Sequence, residues 1–403
     1  MKESPAKPLK MLEGVRIVAF TQFLLGPAGV QYLADLGADV IKIEPPGRGA
    51  YERYWSGGDT FVNGVSAFFL LSHRNVRSLT LDLKHPDGLK AALRVASESD
   101  VVVSNYRPGV LDRLGLGYEQ LRQKRSDLIY AFGSGYGATG PYKNLPGQDL
   151  LLQAMTGLAA ATGRAGDPPT PAGAAIVDQH AAALLALGIL AALYHRKKTG
   201  EGQRVEVTMV QAALDLQLEP VVYHLNGGFQ QRPVEALGSS FHEAPYGIYQ
   251  TADGYIALSL SPVAKISEAL GNPPELQDYL DHSPKTKLHR REEIRRVLGA
   301  LLTDRTTADL IEHFRSFGIW CAPVNDYDAV FADPAVQNLD PILTIEHPQA
   351  GTVKLLKHPV RYSGGEPEVH TMPPGIGQHT DEILREYGFE EAEISKLHAE
   401  GVA

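Results

Sequence analysis

Three aspartates stand where a carboxylate could do chemistry, beside glycine or at the head of a helical run. They are Asp149 in Pro146-Gly147-Gln148-Asp149, Asp167 in Gly163-Arg164-Ala165-Gly166-Asp167-Pro168-Pro169, and Asp178, which opens an alanine-rich stretch. A positioned carboxylate can serve as nucleophile or general base. The same residues also make helix caps (Asp149, Asp178) and Gly-Asp-Pro turns (Asp167), and residue types alone leave all three open. Upstream, Gly135-Tyr136-Gly137-Ala138-Thr139-Gly140 satisfies G-x-G-x-x-G after a strand-like run. A dinucleotide site requires a helix to open there, whereas Pro141 and a polar loop follow. The run reads instead as a glycine-rich turn at the carboxyl edge of a parallel sheet, where backbone N–H groups could approach an anion. Arg74, Arg77, Arg107 and Arg113 fall near the ends of strand-like runs. Guanidinium groups gathered there would suit a polyphosphate, which they pair bidentately.

Other chemistries are excluded. The 14 histidines include no H-E-x-x-H or other compact metal spacing, and Cys321 is the single cysteine, so neither a metal centre nor a disulfide framework is expected. There is no G-x-x-x-x-G-K-[ST] and no G-x-S-x-G elbow. Thirty-eight Lys and Arg against 47 Asp and Glu give a net charge of −9, which argues against a non-specific nucleic-acid binder. The apolar run Ala181 to Tyr194 is shorter than the ~18 residues of a membrane span. Met1 to Lys10 has no apolar signal core. A soluble cytoplasmic protein is expected, without membrane or nucleic-acid partners.

The elements that must position these residues alternate. Strand-like runs at 15–20, 39–43, 77–83, 100–103, 127–132 and 203–207 are interleaved with helical ones at 28–36, 87–97, 148–160, 176–197 and to about 225. This pattern implies βαβ units around a mainly parallel sheet, apolar because both faces are covered. Residues 226–243 are loop-rich. A hairpin with Asp253-Gly254 at its tip and helices at about 262–270, 290–302 and 307–316 follow. Short strands near Ile345 and Val353 and two helices after Thr380 close the chain. The expected organisation is a flexible tail over 1–10, a large domain from 11–225 and 331–403, and a small α+β domain over 226–330.

Taken in order, the motifs resemble those of the family III CoA-transferases. The resemblance is carried by Leu12-Glu13-Gly14-Val15-Arg16-Ile17 with Gly26-Pro27, Leu36-Gly37-Ala38-Asp39-Val40-Ile41-Lys42-Ile43-Glu44, Arg77 to Leu83, and Asn105-Tyr106-Arg107-Pro108-Gly109. It continues through Leu111-Asp112-Arg113-Leu114-Gly115, Lys198 to Gln203, Thr251 to Tyr255, and Gly377-Gln378-His379-Thr380-Asp381-Glu382. What it implies is an α/β fold with a Rossmann-like large domain, an inserted smaller domain and an interlocked homodimer. It also implies acyl-CoA as co-substrate, small carboxylic acids as partners, and covalent transfer through an aspartyl anhydride and an enzyme thioester.

Carried over residue by residue, the resemblance puts the nucleophile in the loop after Thr162-Gly163. The family's usual spacing lands on Gly166, so Asp167, one place on, is the expected nucleophile, followed by Asp149 and then Asp178. Tyr136 matches an active-site tyrosine. Gln22, Phe23, Leu24, Asn105, Tyr106 and Arg113 match CoA-contacting positions. Pro45 and Val76 replace basic residues of some members, which leaves phosphate recognition to Arg74, Arg77 and Arg113. Related α-methylacyl-CoA racemases use a His-Asp pair; Asp178 matches that aspartate, but Gln148 stands where the histidine would be. Racemisation by α-proton abstraction and a non-catalytic CoA-binding role are the alternatives.

Overall fold

The computed structural model describes residues 9–228, 231–280 and 283–403. Most of the tail expected over 1–10, to residue 8, lies outside them, as do 229 and 230 of the loop-rich 226–243 stretch. The chain divides into two compact units, one of residues 1–152, 175–216 and 341–403, the other of 153–174 and 217–340.

The first unit is built on six parallel strands, β1 (Arg16–Phe20), β2 (Asp39–Glu44), β3 (Val76–Thr80), β4 (Val101–Ser104), β5 (Ile129–Ser134) and β6 (Arg204–Thr208). Their spatial order is β3-β2-β1-β4-β5-β6. Ile17 of β1 lies opposite Val40 on one side and Val101 on the other. Such an order reverses direction between β1 and β4, and open α/β sheets bind ligands in the crevice outside the carboxyl ends at that reversal.

The strands are apolar throughout because helices bury both faces. Helix α1 (Leu25–Asp35) and helix α4 (Ile176–Thr199) pack Val30, Leu33, Ala181, Leu185 and Ile189 against one face. Helix α2 (Pro86–Glu98) and the C-terminal helices Thr380–Glu386 and Glu391–Ala399 pack Ala91, Val95, Ile383 and Ile394 against the other. A further helix, α3 (Asp149–Met155), precedes α4. At 24 residues α4 is long and apolar enough to cross a membrane, longer than the apolar run alone implies. Its Val177, Ala181, Ala182, Leu185 and Ile189 are buried in the core, while Leu187 and Tyr194 are exposed.

The second unit has a three-stranded antiparallel sheet of Cys321–Pro323, Tyr255–Leu258 and Gly247–Gln250. The hairpin closes with Thr251 N–H donating to Gly254 O at 3.0 Å. Helices Val263–Ala269, Arg291–Leu302 and Thr307–Ser316 bury Ile266, Leu298 and Phe314 with Ile256 of the sheet. This unit takes in residues 153–174 as well, outside the 226–330 read from the sequence. The physical tie is Arg232, whose guanidinium donates to the carbonyls of Thr162 (3.3 Å) and Asp167 (2.7 Å).

Two arginines expected to bind phosphate are structural. Arg74 is 4% exposed and makes a forked pair with Asp35, with Nη2–Oδ2 at 2.6 Å and Nε–Oδ1 at 2.9 Å, while Nη1 donates to Leu356 O. Arg77 lies at the amino end of β3, away from the carboxyl edge, and is taken up by Asp39 (2.7 Å) and Glu386 (2.9 Å). Both guanidiniums are engaged by groups of this chain, carboxylates above all. Substituting Arg74 by Ala leaves the Asp35 carboxylate buried without its partner, a loss of about 3–5 kcal/mol for a broken buried pair. Urea unfolding checks this.

Candidate active site

A cavity of about 670 Å³ opens at the strand-order reversal, lined by the segments leaving β1, β4 and β5 and by the head of α4. Gln22, Phe23 and Leu24 come from β1, Asn105 and Tyr106 from β4, Gly135 and Tyr136 from β5, and Gln148, Asp149 and Asp178 from the α3 and α4 starts. Every expected residue of these segments is brought together. Asp167 is not: it belongs to the second unit, is exposed, and is absent from the lining of that unit's large cavity. The loop spacing that favoured it records chain length, whereas its backbone carbonyl is used by Arg232.

Close backbone packing makes the site. Gly26 lies so near β1 that a Cβ there would come within 2.7 Å of the Thr21 side chain and 2.9 Å of Asn105 Cγ. Gly135 and Gly147 are packed back to back, and a Cβ on Gly135 would stand 2.6 Å from Gly147 Cα. This second contact holds the residues before α3 against the end of β5 and so places Asp149. The glycine-rich turn itself offers fewer donors than its sequence promised. Gly137 N–H is spent on Ser134 Oγ at 3.0 Å and Ala138 N–H on Glu206 at 2.9 Å.

The carboxylates have distinct duties. Asp149 is a cap of α4: its Oδ1 accepts the N–H groups of Val177 at 2.7 Å and Asp178 at 3.0 Å. Asp178 is half-buried in the first turn of α4, beside that charge. Burial first, and then the Asp149 charge, push the Asp178 carboxyl up to about 7, against a backbone hydrogen bond from Leu25 that favours its ionised form. Leu25 is the first residue of α1, whose N-terminus has no side-chain cap. Asp178 is therefore a carboxylate that titrates near neutrality with a helix-terminal amide upon it. Tyr106 stays protonated, its hydroxyl pushed up to about 12 by burial and then by the charges of Glu52 and Glu44.

A second crevice of about 370 Å³ shares Arg107, Pro108 and Lys143 with the cavity and is lined further by Arg113, Arg204, Tyr118 and Phe132. Of the arginines singled out in the sequence, Arg107 and Arg113 thus reach the site, and Lys143 and Arg204 join them unannounced. Lys143 could have been found as the cation of the loop following the β5 turn. Arg204 could not, since only the sheet order sets β6 beside β5.

A model of CoA-transferase family III matches residues 12–380. The chain is a family III CoA-transferase. A succinyl-CoA:glutarate CoA-transferase of Mus musculus is 34% identical over 99% of this chain and 92% of its own. A succinyl-CoA–D-citramalate CoA-transferase of Chloroflexus aurantiacus is 32% identical over 99% of this chain and 100% of its own. The crystal structure of a CaiB/BaiF family protein from Brucella suis superimposes with a TM-score of 0.81, at 28% identity, over 94% of this chain and 100% of that one. The transferase is an enzyme, and its class uses acyl-CoA as co-substrate.

Changing Asp149 to Asn keeps an oxygen for the α4 cap and removes the charge beside Asp178. The Asp178 carboxyl then titrates lower, and the acid limb of kcat/KM moves to lower pH. A pH profile from 5 to 9 reads the shift.

Proposed function

We propose that the transferase moves CoA between short-chain carboxylic acids, dicarboxylates among them, with Asp178 as the nucleophile. The observation that carries this reading is the placement of Asp178: in the cavity at the strand-order reversal, half-buried, with the Leu25 amide on its carboxylate. Asp149 is engaged in capping and Asp167 is exposed on the other unit, so the spacing that favours Asp167 and the second place given to Asp149 are set aside. The acids named for the two relatives, glutarate and citramalate, are both dicarboxylates.

In this reading a carboxylate oxygen of Asp178 attacks the thioester carbonyl carbon of the donor acyl-CoA. The tetrahedral oxyanion collapses with loss of the C–S bond, leaving CoA thiolate and a mixed anhydride on Asp178. Thiolate attack on the aspartyl carbonyl of that anhydride expels the donor acid as its carboxylate and gives an aspartyl-CoA thioester. The acceptor carboxylate attacks that thioester, forming a second anhydride and releasing thiolate again. The thiolate then takes the acceptor acyl group and frees Asp178. No net proton is consumed, so the groups around the centre need only stabilise negative charge. The bare start of α1 supplies such donors.

The cationic crevice of Arg107, Arg113, Lys143 and Arg204 suits the phosphates of CoA, and Gln22, Phe23, Leu24, Asn105 and Tyr106 suit its pantetheine arm. Racemisation needs a second base, and Gln148, which lines the cavity, cannot take a proton near neutral pH. The reading includes a homodimer, supported by the exposed apolar side chains Leu187 and Tyr194 on α4, and a cytoplasmic location.

Incubation with succinyl-CoA and hydroxylamine tests the nucleophile. Asp178→Asn is expected to abolish the trapped adduct and Asp167→Asn to retain it; an adduct that persists in Asp178→Asn overturns the reading. The raised Asp178 value also fixes a sign. Its neutral form is the one the fold favours, so the stability it gives is full below pH ~4 and is lost as pH rises through about 7. Asp178→Asn is therefore expected to raise Tm at pH 8 and to raise it much less at pH 5. Arg107→Ala and Arg113→Ala are each expected to raise KM for acyl-CoA about tenfold, the equivalent of ~1.4 kcal/mol, with kcat nearly unchanged.

A further inference from the structure

Beneath the cavity lies a group of buried ionisable side chains that the transfer chemistry does not use. Glu52 is fully buried. Its Oε1 accepts from Lys42 Nζ at 2.7 Å and faces His73 Nε2 at 3.4 Å. Lys42 and His73 are 2% and 1% exposed. The other nitrogen of His73 lies 2.9 Å from Phe69 O, and its ring stacks on Phe69 with centroids 4.1 Å apart. Next to this group, Arg53 and Glu44 form their own forked pair at 2.6 and 2.7 Å. Burying this much charge costs free energy that only paired geometry offsets, so the cluster calls for a task.

That task is visible in what the cluster touches. The segment joining β1 to α1 lines the cavity and carries Phe23 at φ +59°, a left-handed backbone that a residue with a Cβ adopts only where its surroundings impose it. Lys42 Nζ donates to Thr21 O at 2.7 Å. The Asn105 side chain brackets Gln22, accepting its N–H at 2.9 Å and donating to its carbonyl at 2.8 Å. Glu52 Oε2 accepts the Phe23 N–H at 3.3 Å. Two residues further on, Leu25 opens α1 and lines the cavity together with Asp178, whose ionised form its amide favours. The segment is therefore held at three successive residues, and its far end is the amide upon the nucleophile.

We propose that Glu52, which need not touch substrate, is the positioning residue of this site: by holding the Phe23 amide it fixes the left-handed turn that aims the Leu25 N–H at Asp178. This rests on Asp178 being the nucleophile. Lys42 keeps the Glu52 carboxylate ionised, its carboxyl lying well below the usual range against the opposing effect of burial. Burial and the Lys42 charge hold His73 below the ordinary imidazole range, which leaves Lys42 as the cation of the pair.

The test is Glu52→Asp, which preserves the charge facing Lys42 and His73 but is one methylene too short for the Phe23 amide. Misplacement of a reacting group by an ångström costs up to about a hundredfold in rate. We expect kcat to fall between about tenfold and a hundredfold while KM for acyl-CoA stays within about twofold. With the Leu25 hydrogen bond loosened, the Asp178 carboxyl rises further and the acid limb of the kcat profile moves to higher pH, which a loss of stability alone would not produce. The charged groups lining the cavity with Asp178, namely Asp149, Arg107 and Lys143, are unchanged in this variant. An unaltered kcat with an unaltered acid limb overturns the proposal. Amide hydrogen exchange on the unsubstituted protein reads the clamp without any variant: protection across 21–25 supports it, and free exchange there, despite the contacts described, overturns it. The two readings fail separately. A hydroxylamine adduct persisting in Asp178→Asn removes the nucleophile, whereas a wild-type rate in Glu52→Asp removes only the positioning role.

Discussion

The site depends on keeping a carboxylate ionisable in a place where burial works against its charge. Asp178 sits half out of water next to another carboxylate, and both conditions favour its neutral form. What opposes them is the Leu25 amide at the uncapped start of α1. That amide can act only if the preceding four residues take one course, with Phe23 in the left-handed region. A single short segment between a strand and a helix thus bears on how much of the Asp178 carboxylate is ionised near neutral pH. The buried Lys42–Glu52 pair, the Asn105 bracket and the absence of a side chain on Gly26 all act on that segment.

The parallel sheet explains why so many unconnected stretches converge there. An order of β3-β2-β1-β4-β5-β6 sends the chains leaving β1 and β4 to opposite sides, which opens a crevice no loop has to cross. Residues just past the carboxyl ends of β1, β4 and β5 then line one cavity, although their positions in the chain differ by more than a hundred. The glycine pair Gly135 and Gly147 brings the start of α3 into the same space, and Asp149 ties α3 to α4 through the two amides it caps. Electrostatics and backbone geometry are joined in this residue, since the oxygen that caps α4 also carries the charge that raises Asp178.

The arginines near strand ends show how the same residue type divides by environment. Arg74 and Arg77 have carboxylates of their own chain within hydrogen-bonding distance and serve the fold. Arg107 and Arg113 line an open crevice next to Lys143, with Arg204 beside them paired to Glu206 of its own strand at 3.1 Å. A guanidinium near a strand end carries no mark in the sequence telling which it is, because the deciding fact is whether a carboxylate from a distant element fills its fork. Asp35 and Glu386 are such partners, 39 and 309 residues away.

The amino-acid sequence determined the local elements and the family. Alternating apolar runs, stop signals such as Pro45-Pro46-Gly47, the Asp253-Gly254 hairpin and an ordered series of motifs are properties of neighbouring residues, and the strands and helices stand within a few residues of where those signals place them. The segments bearing Gln22, Phe23, Leu24, Asn105, Tyr106 and Tyr136 were legible for the same reason. Which aspartates share the cavity was not. Asp167 satisfies a spacing, but spacing measures distance along the chain, while the surroundings of a carboxylate depend on burial, on a neighbouring charge and on an amide from a helix some 150 residues earlier. Those are relations between remote segments, and only the tertiary structure brings Asp149, Leu25 and, beneath them, Glu52 around Asp178.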